Sequence, residues 1–192
     1  MSNNIDVLIK EIASLKEQLK LLKEENKRLK ELSITDELTG LYNWRHFHNN
    51  LDAEVARNKR QNHHLSLIFL DVDGLKSFND TYGHSGGNEI LKAIAKSINE
   101  SIRKDVDSAY RFGGDEFAII LPEVKSEQAV KIAKRIAENL LKSNFANVSI
   151  SFGIAELDSN MDSETLIKYA DSAMYLSKQK TDKIHIYNKT DN

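Results

Sequence analysis

Between residues 5 and 29, apolar side chains recur at alternating intervals of three and four. The series is Ile5, Leu8, Ile12, Leu15, Leu19, Leu22 and Leu29, with Asn26 in step. This is the seam of a heptad repeat, with leucine at every d position and Ile5, Ile12, Leu19 and Asn26 at a. A single asparagine at a suits a parallel dimer, because two facing amides satisfy each other. Glu11 with Lys16, and Glu25 with Lys30, stand where charges pair across such a dimer. The competing reading is one amphipathic helix lying on its own domain, which wants a wider apolar stripe. The pattern therefore predicts a dimerising coiled-coil helix over 1–33 and a separate domain over 34–192.

From Thr35 the periodicity changes. A capped turn leads into a helix from about Trp44 to Lys59. The run "LSLIFLDVD" (65–73) is continuously apolar until it reaches its acids, and reads as a buried strand. Helical spacing returns over 86–102 through Ile90, Leu91, Ile94 and Ile98. "SAYRFGGDEFAIIL" (108–121) reads as strand, tight turn and strand, with positive φ expected at Gly113 and Gly114. Pro122 closes that second strand. A helix over 126–142, a strand over 148–157, a helix over 162–180 capped by Asp162 or Ser163, and a short strand over 183–188 follow. The alternation around a hairpin predicts an α/β (α+β) sandwich, a mixed and mostly antiparallel sheet flanked by helices.

Composition narrows the function. The formal net charge of −2 provides no basic footprint for nucleic acid or an anionic membrane. The chain has no cysteine, which excludes disulfides and thiolate metal sites. Its longest central apolar run is far too short to span a bilayer, and its first residues are polar. These features lead us to expect a cytoplasmic protein.

The chemistry is carried by acids. Asp71 and Asp73 end the buried strand; Asp115 and Glu116 sit at the hairpin tip. If those strands are neighbours, Asp71 and Asp115 converge. Hard divalent cations take carboxylate and carbonyl oxygens, and Mg²⁺ commonly combines one or two protein carboxylates with substrate phosphates. Two carboxylates clamping Mg²⁺ suit attack of a hydroxyl on a phosphate. Taken alone, an acidic tip is usually just solvated. Two glycines and two acids between strands, facing a second acidic strand end, favour metal.

Six segments resemble the GGDEF family of diguanylate cyclases. They include "TDELTGLYN" (35–43), "LDVDGLKSFNDTYGH" (70–84), "GGNEIL" (86–91), "DSAYRFGGDEF" (107–117), "SISFGIA" (149–155) and "ADSAMYLSK" (170–178). The resemblance covers roughly 33–188. It implies a palm-like nucleotidyl-cyclase fold in which two protomers, each holding one GTP, meet face to face and make cyclic di-GMP with loss of pyrophosphate. By motif position it implies Mg²⁺ (or Mn²⁺) on Asp71, the Val72 carbonyl and Asp115, with Asp115 as catalytic base and Glu116 supporting the metal site. Gly74 and Leu75 would offer N–H groups to the phosphates, and Lys76 and Lys178 positive charge. Asn79 and Asn88 would read the guanine, with His84 beside the nucleotide. Lys104 and Asp107 occupy the family's product-inhibition motif. The coiled coil would tether the two half-sites.

The chain departs from the family in ways that bear on function. Asn88 stands where aspartate is usual; an aspartate accepts from two guanine donors, an amide from one. ATP use, giving cyclic GMP–AMP or cyclic di-AMP, is the alternative this raises. Asp182 replaces a phosphate-binding arginine, for which Lys180 or Lys183 could stand in. Lys104 replaces the inhibitory-site arginine, and Trp44 another arginine. A non-catalytic nucleotide-binding or interaction module is the reading from a different class.

Overall fold

The computed structural model describes the backbone of residues 2–32, 34–145 and 147–191, and side chains from Leu8 onward apart from 28 and 30–32. Ile5 and Lys30 of the predicted seam and its flank lie outside the described side chains. The chain divides into two compact units, Met1–Ile34 and Thr35–Asn192. The first is helix α1 (Ser2–Leu32). Along it Leu8, Ile12, Leu15, Leu19, Leu22 and Leu29 are each more than half exposed in the single chain.

The second unit is a six-stranded sheet between two helical layers. In chain order its elements are β1 (Tyr42–Asn43), α2 (Trp44–Gln61), β2 (Leu65–Asp73), α3 (Leu75–Asn99), β3 (Ser108–Arg111) and β4 (Glu116–Pro122). Then come α4 (Ser126–Leu141), β5 (Ser149–Glu156), α5 (Ser163–Ser177) and β6 (Ile184–Ile186). The strand order is β1-β3-β4-β2-β5-β6. β2 is antiparallel to both β4 and β5, and β3 to β4, while the β1–β3 and β5–β6 pairs are parallel.

Side chains alternate across a strand, so β2 supplies two cores. Ile68, Leu70 and Val72 join a cluster with Ile90, Ile94, Ile132 and Ile136 from α3 and α4. Leu65, Leu67 and Phe69 join the opposite cluster, with Phe47 and Leu51 from α2 and Leu166, Ala170 and Met174 from α5. Both acids of β2 continue that second series. Asn43 and Asp162 cap α2 and α5 by accepting the N–H groups of His46 and Thr165.

Three expectations are corrected by the structure. α3 begins at Leu75 rather than near residue 86, with a break at Gly83 (φ 79°, ψ 161°). β1 is a two-residue strand, too short to leave a periodic signal. Gly113 and Gly114 do not adopt positive φ; the glycines that do are Gly40, Gly74 and Gly83. A Cβ at Gly113 would lie 2.6 Å from Glu116 Oε2, so a side chain there would displace the Glu116 carboxylate.

β5 and α5 approach closely at Gly153. A Cβ would come within 2.1 Å of the Met174 backbone nitrogen and 2.2 Å of the Ala170 carbonyl oxygen. Backbone cannot rotate aside as a side chain can. Gly153→Ala is expected to push α5 off the sheet and destabilise the domain by roughly 3 kcal/mol, the upper end for overpacking. Urea unfolding followed by circular dichroism would measure this as a lower midpoint with little change in slope.

Candidate active site

Pairing of β2 with β4 and β5 builds the site. Asp71 lies opposite Glu116 on β4 and Ser151 on β5. The N–H of Val72 donates to the Asp115 carbonyl oxygen at 3.2 Å, so the hairpin tip is tied to the end of β2. Acids from two distant stretches of sequence thus share one end of the sheet. Lys178, just past α5, reaches Asp71 Oδ1 at 3.0 Å. Ser151 donates its hydroxyl to Asp73 at 2.9 Å, and Lys183 lies 3.6 Å from the other Asp73 oxygen.

The acids strain against one another. Burial pushes the Asp71 carboxyl above its ordinary value, and Asp115 and Asp73 push it the same way against the opposing effect of Lys178. Glu116 is raised first by burial, then by the charges of Asp71, Asp115 and Asp171. For Lys178, burial works against the charged form, but the hydrogen bond and charge of Asp71 dominate and raise it. Negative charge at this end of the sheet exceeds what its lysines neutralise.

Two residues that sequence reasoning passed over brace the tip. Arg111 donates to the carbonyl oxygens of Gly113 and Gly114, the latter at 2.7 Å, and to Asp36 at 3.3 Å. Asp36 in turn accepts from the backbone and hydroxyl of Thr39. Burial alone would raise the Asp36 carboxyl, but Thr39 and Arg111 hold it below its ordinary value. Phe112 fixes the other side of the turn, with its ring 5.3 Å from Phe47 and 4.9 Å from Phe69. The only local hint was an arginine two positions before the first glycine, because its acid partner is 75 positions away.

Gly74 occupies the left-handed region (φ 74°) and leads into α3 without a side-chain cap. The first N–H groups of α3, including that of Leu75, therefore start the helix with no side chain accepting from them. Such an N-terminus favours an anion. Further along α3, Asn79 Oδ1 is buried without a hydrogen-bond partner. A Cβ on Gly87 would lie 1.9 Å from that oxygen, so any larger residue would displace the Asn79 amide. Asn88 follows directly and is exposed, as are Lys76 and His84. An orphaned amide oxygen beside a bare glycine suits the edge of a planar base.

Lys104 and Asp107 are not part of this cluster; they lie at the opposite end of β3 from the tip. Asp107 is buried and held by Arg103, through its backbone N–H at 2.7 Å and its guanidinium at 2.7 Å. Lys104 is exposed.

The donor set fits a divalent cation. Asp71 and Asp115 supply carboxylates, and Val72 a carbonyl, beside charge that is only partly neutralised. Among the described residues, no three His, Asp or Glu side chains gather closely enough to enclose an ion by themselves.

Fold and site together define a cyclase-like α+β domain with an acidic centre beside a helix start that no side chain caps. The sequence profile of the family described as "Diguanylate cyclase, GGDEF domain" matches residues 33–183. The chain belongs to the GGDEF-domain family. It is 36% identical over 157 residues to the response regulator PleD of Caulobacter vibrioides, covering 77% of this chain and 34% of PleD. It is 33% identical over 191 residues to the diguanylate cyclase VdcA of Vibrio cholerae, covering 93% of this chain and 52% of VdcA. The chain thus spans about a third to a half of these relatives' length. Among solved structures, the coiled coil and GGDEF domain of DgcB from Caulobacter crescentus, in complex with c-di-GMP, superposes with a TM-score of 0.73 at 26% identity. That match covers 94% of this chain and 98% of the DgcB chain. The diguanylate cyclase SiaD of Pseudomonas aeruginosa, in complex with its activator SiaC, gives 0.74 at 29% identity, covering 93% of this chain and 71% of the SiaD chain. Among the described residues, no helix is long and apolar enough to cross a membrane.

Proposed function

We propose that this chain is a diguanylate cyclase that works as a homodimer, each protomer contributing one GTP and half of the active centre. In each of two equivalent steps, the 3′-hydroxyl of one GTP attacks the α-phosphorus of the other. A phosphodiester bond forms and pyrophosphate leaves, so two GTP become one cyclic di-GMP and two pyrophosphates. The carrying observation is the meeting of Asp71 with Glu116, and of Val72 with Asp115, across β2 and β4.

Asp71, the Val72 carbonyl and Asp115 would hold Mg²⁺ (or Mn²⁺), with Glu116 in support. The ion supplies charge neutralisation at the reacting phosphate. Asp115 accepts the proton of the attacking hydroxyl. The start of α3 at Gly74 and Leu75, with Lys76 and Lys178, binds phosphate oxygens. Asn79 and Asn88 face the base, with His84 beside the nucleotide. Inhibition by product at Lys104 and Asp107 is weak, because Asp107 is already committed to Arg103. The test is to incubate the purified chain with Mg²⁺ and GTP, ATP or both, and to identify products by mass spectrometry. Cyclic di-GMP supports the proposal; the absence of any cyclic dinucleotide, with the dimer intact, favours a nucleotide-binding module.

Asn88 supports a second reading, in which base choice is relaxed and adenine enters the product. Its amide offers one acceptor and one donor, matching adenine's edge as readily as half of guanine's. Asn88→Asp is expected to shift preference toward GTP by about tenfold or more, the worth of one hydrogen bond to a charged acceptor. Competition between GTP and ATP, read as the ratio of products, would show it. An unchanged ratio would remove Asn88 from base selection.

A further inference from the structure

We propose that Trp44 is the apolar anchor of the surface on which a second copy of this chain docks, hairpin tip toward hairpin tip; this rests on the cyclase reading above. β1 runs parallel to β3 with Asn43 opposite Arg111, so α2 starts at the same end of the sheet as the glycine tip. Asn43 caps that helix, which puts Trp44 at its first position, with 54% of its surface exposed. One turn on, the His48 ring stands edge-on to Trp44 at 5.6 Å. The same ring lies 5.9 Å from Phe112, which belongs to the tip. Trp44, His48 and Phe112 thus form an aromatic ridge that runs from the surface into the catalytic hairpin.

The single chain makes little use of this tryptophan. Phe47, three residues on, fills the core and is fully buried, whereas Trp44 leaves a large apolar ring in water. The base of the chain's own nucleotide is not the occupant. Asn79 and Gly87, the residues suited to it, lie on α3, and α3 packs on the opposite face of the sheet from α2. A second copy fits better. The proposed reaction brings two tips together, and each acidic end carries charge that its lysines do not fully neutralise, so the two ends repel. Apolar contact beside the acids is what can offset that repulsion, and Trp44 stands there. In a two-fold contact both copies present the same patch, so one ring acts twice. Tryptophan is also among the side chains that most often carry the binding energy of such contacts. Arginine, usual at this position in the family, would bring charge where this chain has apolar area.

Trp44 is the chain's only tryptophan, so its fluorescence reports on this surface alone. The natural chain is saturated with 3′-deoxy-GTP and Mg²⁺, a nucleotide that lacks the attacking hydroxyl and cannot be cyclised. It is compared, at the same saturation, with single chains obtained by Leu15→Lys with Leu22→Lys and verified by sedimentation. Emission from the paired chains should lie at shorter wavelength and be less quenched by acrylamide. Equal emission and quenching in the two, whether both exposed or both covered by nucleotide, would overturn the assignment. In turnover, Trp44→Ala should lower kcat about tenfold or more, as for loss of an interface anchor, with nucleotide affinity per protomer held within about twofold. Its melting temperature should not fall, since the ring is exposed in the single chain, and Trp44→Tyr should retain most of the rate. A folded Trp44→Ala with unchanged kcat would overturn the assignment while leaving the cyclase reading in place. A natural chain that binds no triphosphate would overturn both.

Discussion

Replacing Asp115 by alanine should reduce cyclic dinucleotide formation by roughly 10³-fold or more, the range for losing a positioned base at a phosphoryl-transfer centre. The position combines two tasks in the proposed mechanism, holding the cation and accepting the hydroxyl proton, so no neighbour can take over both. Glu116 is adjacent in sequence, but its side chain faces Asp71 across the β2–β4 register. The fold should survive. Asp115 raises the carboxyls of Asp71 and Glu116 by repulsion, so its removal relieves the cluster and leaves thermal stability unchanged or slightly higher. The β2–tip hydrogen bond is made by the Asp115 backbone, which alanine retains. Product analysis paired with a melting curve checks both halves. A folded variant that kept its activity would end the assignment of Asp115.

Putting charge into the seam of α1 should be nearly as damaging, for a different reason. Leu15 and Leu22 are more than half exposed in the single chain, and both occupy d positions of the heptad. Leu15→Lys with Leu22→Lys would bury two like-charged pairs in a parallel dimer, which excludes close pairing. Two half-sites tethered by a short connection meet at an effective concentration of about millimolar. Untethered at micromolar protein, they should turn over roughly 10²- to 10³-fold more slowly. The deficit should shrink as protein concentration rises, and nucleotide affinity per protomer should not change. Sedimentation velocity with a concentration series of rates would show both. Equal rates at micromolar protein would mean that α1 does not bring the half-sites together.

Much of the fold was legible in local pattern. β2 spans the apolar run that ends in Asp71 and Asp73, and α5 starts at the cap expected from Asp162. The first turns of α3 were not legible, because "LKSFNDTYGH" mixes Ser, Asn, Asp, Thr and Gly with few apolar positions and so lacks a helical stripe. Its helix instead runs on from a left-handed Gly74 at the end of β2. The glycine turn was misread for a related reason: the tip closes without positive φ at either glycine, and what a side chain at Gly113 would meet is the Glu116 carboxylate, a contact no local φ preference encodes. Arg111 and Asp36 escaped notice because neither carries a signal until the chain brings them together. Lys180 and Lys183 looked equivalent as stand-ins for the missing arginine, and only the return of the chain into β6 turned one toward His185 and the other toward Asp73.

By itself, then, the sequence determined most of the elements, the two faces of the longer strands and the inventory of acids, because periods of 2 and 3.6 residues are local properties of the backbone. Which acids meet was decided by tertiary structure. β2 lies between β4 and β5, where both its faces are buried, and the register that buries Leu67 and Phe69 against α2 and α5 also sets Asp71 against Glu116. A slip of one residue would turn those acids into the opposite core. The burial of two apolar faces thus fixes the position of the charged end, and no local spacing could have specified it.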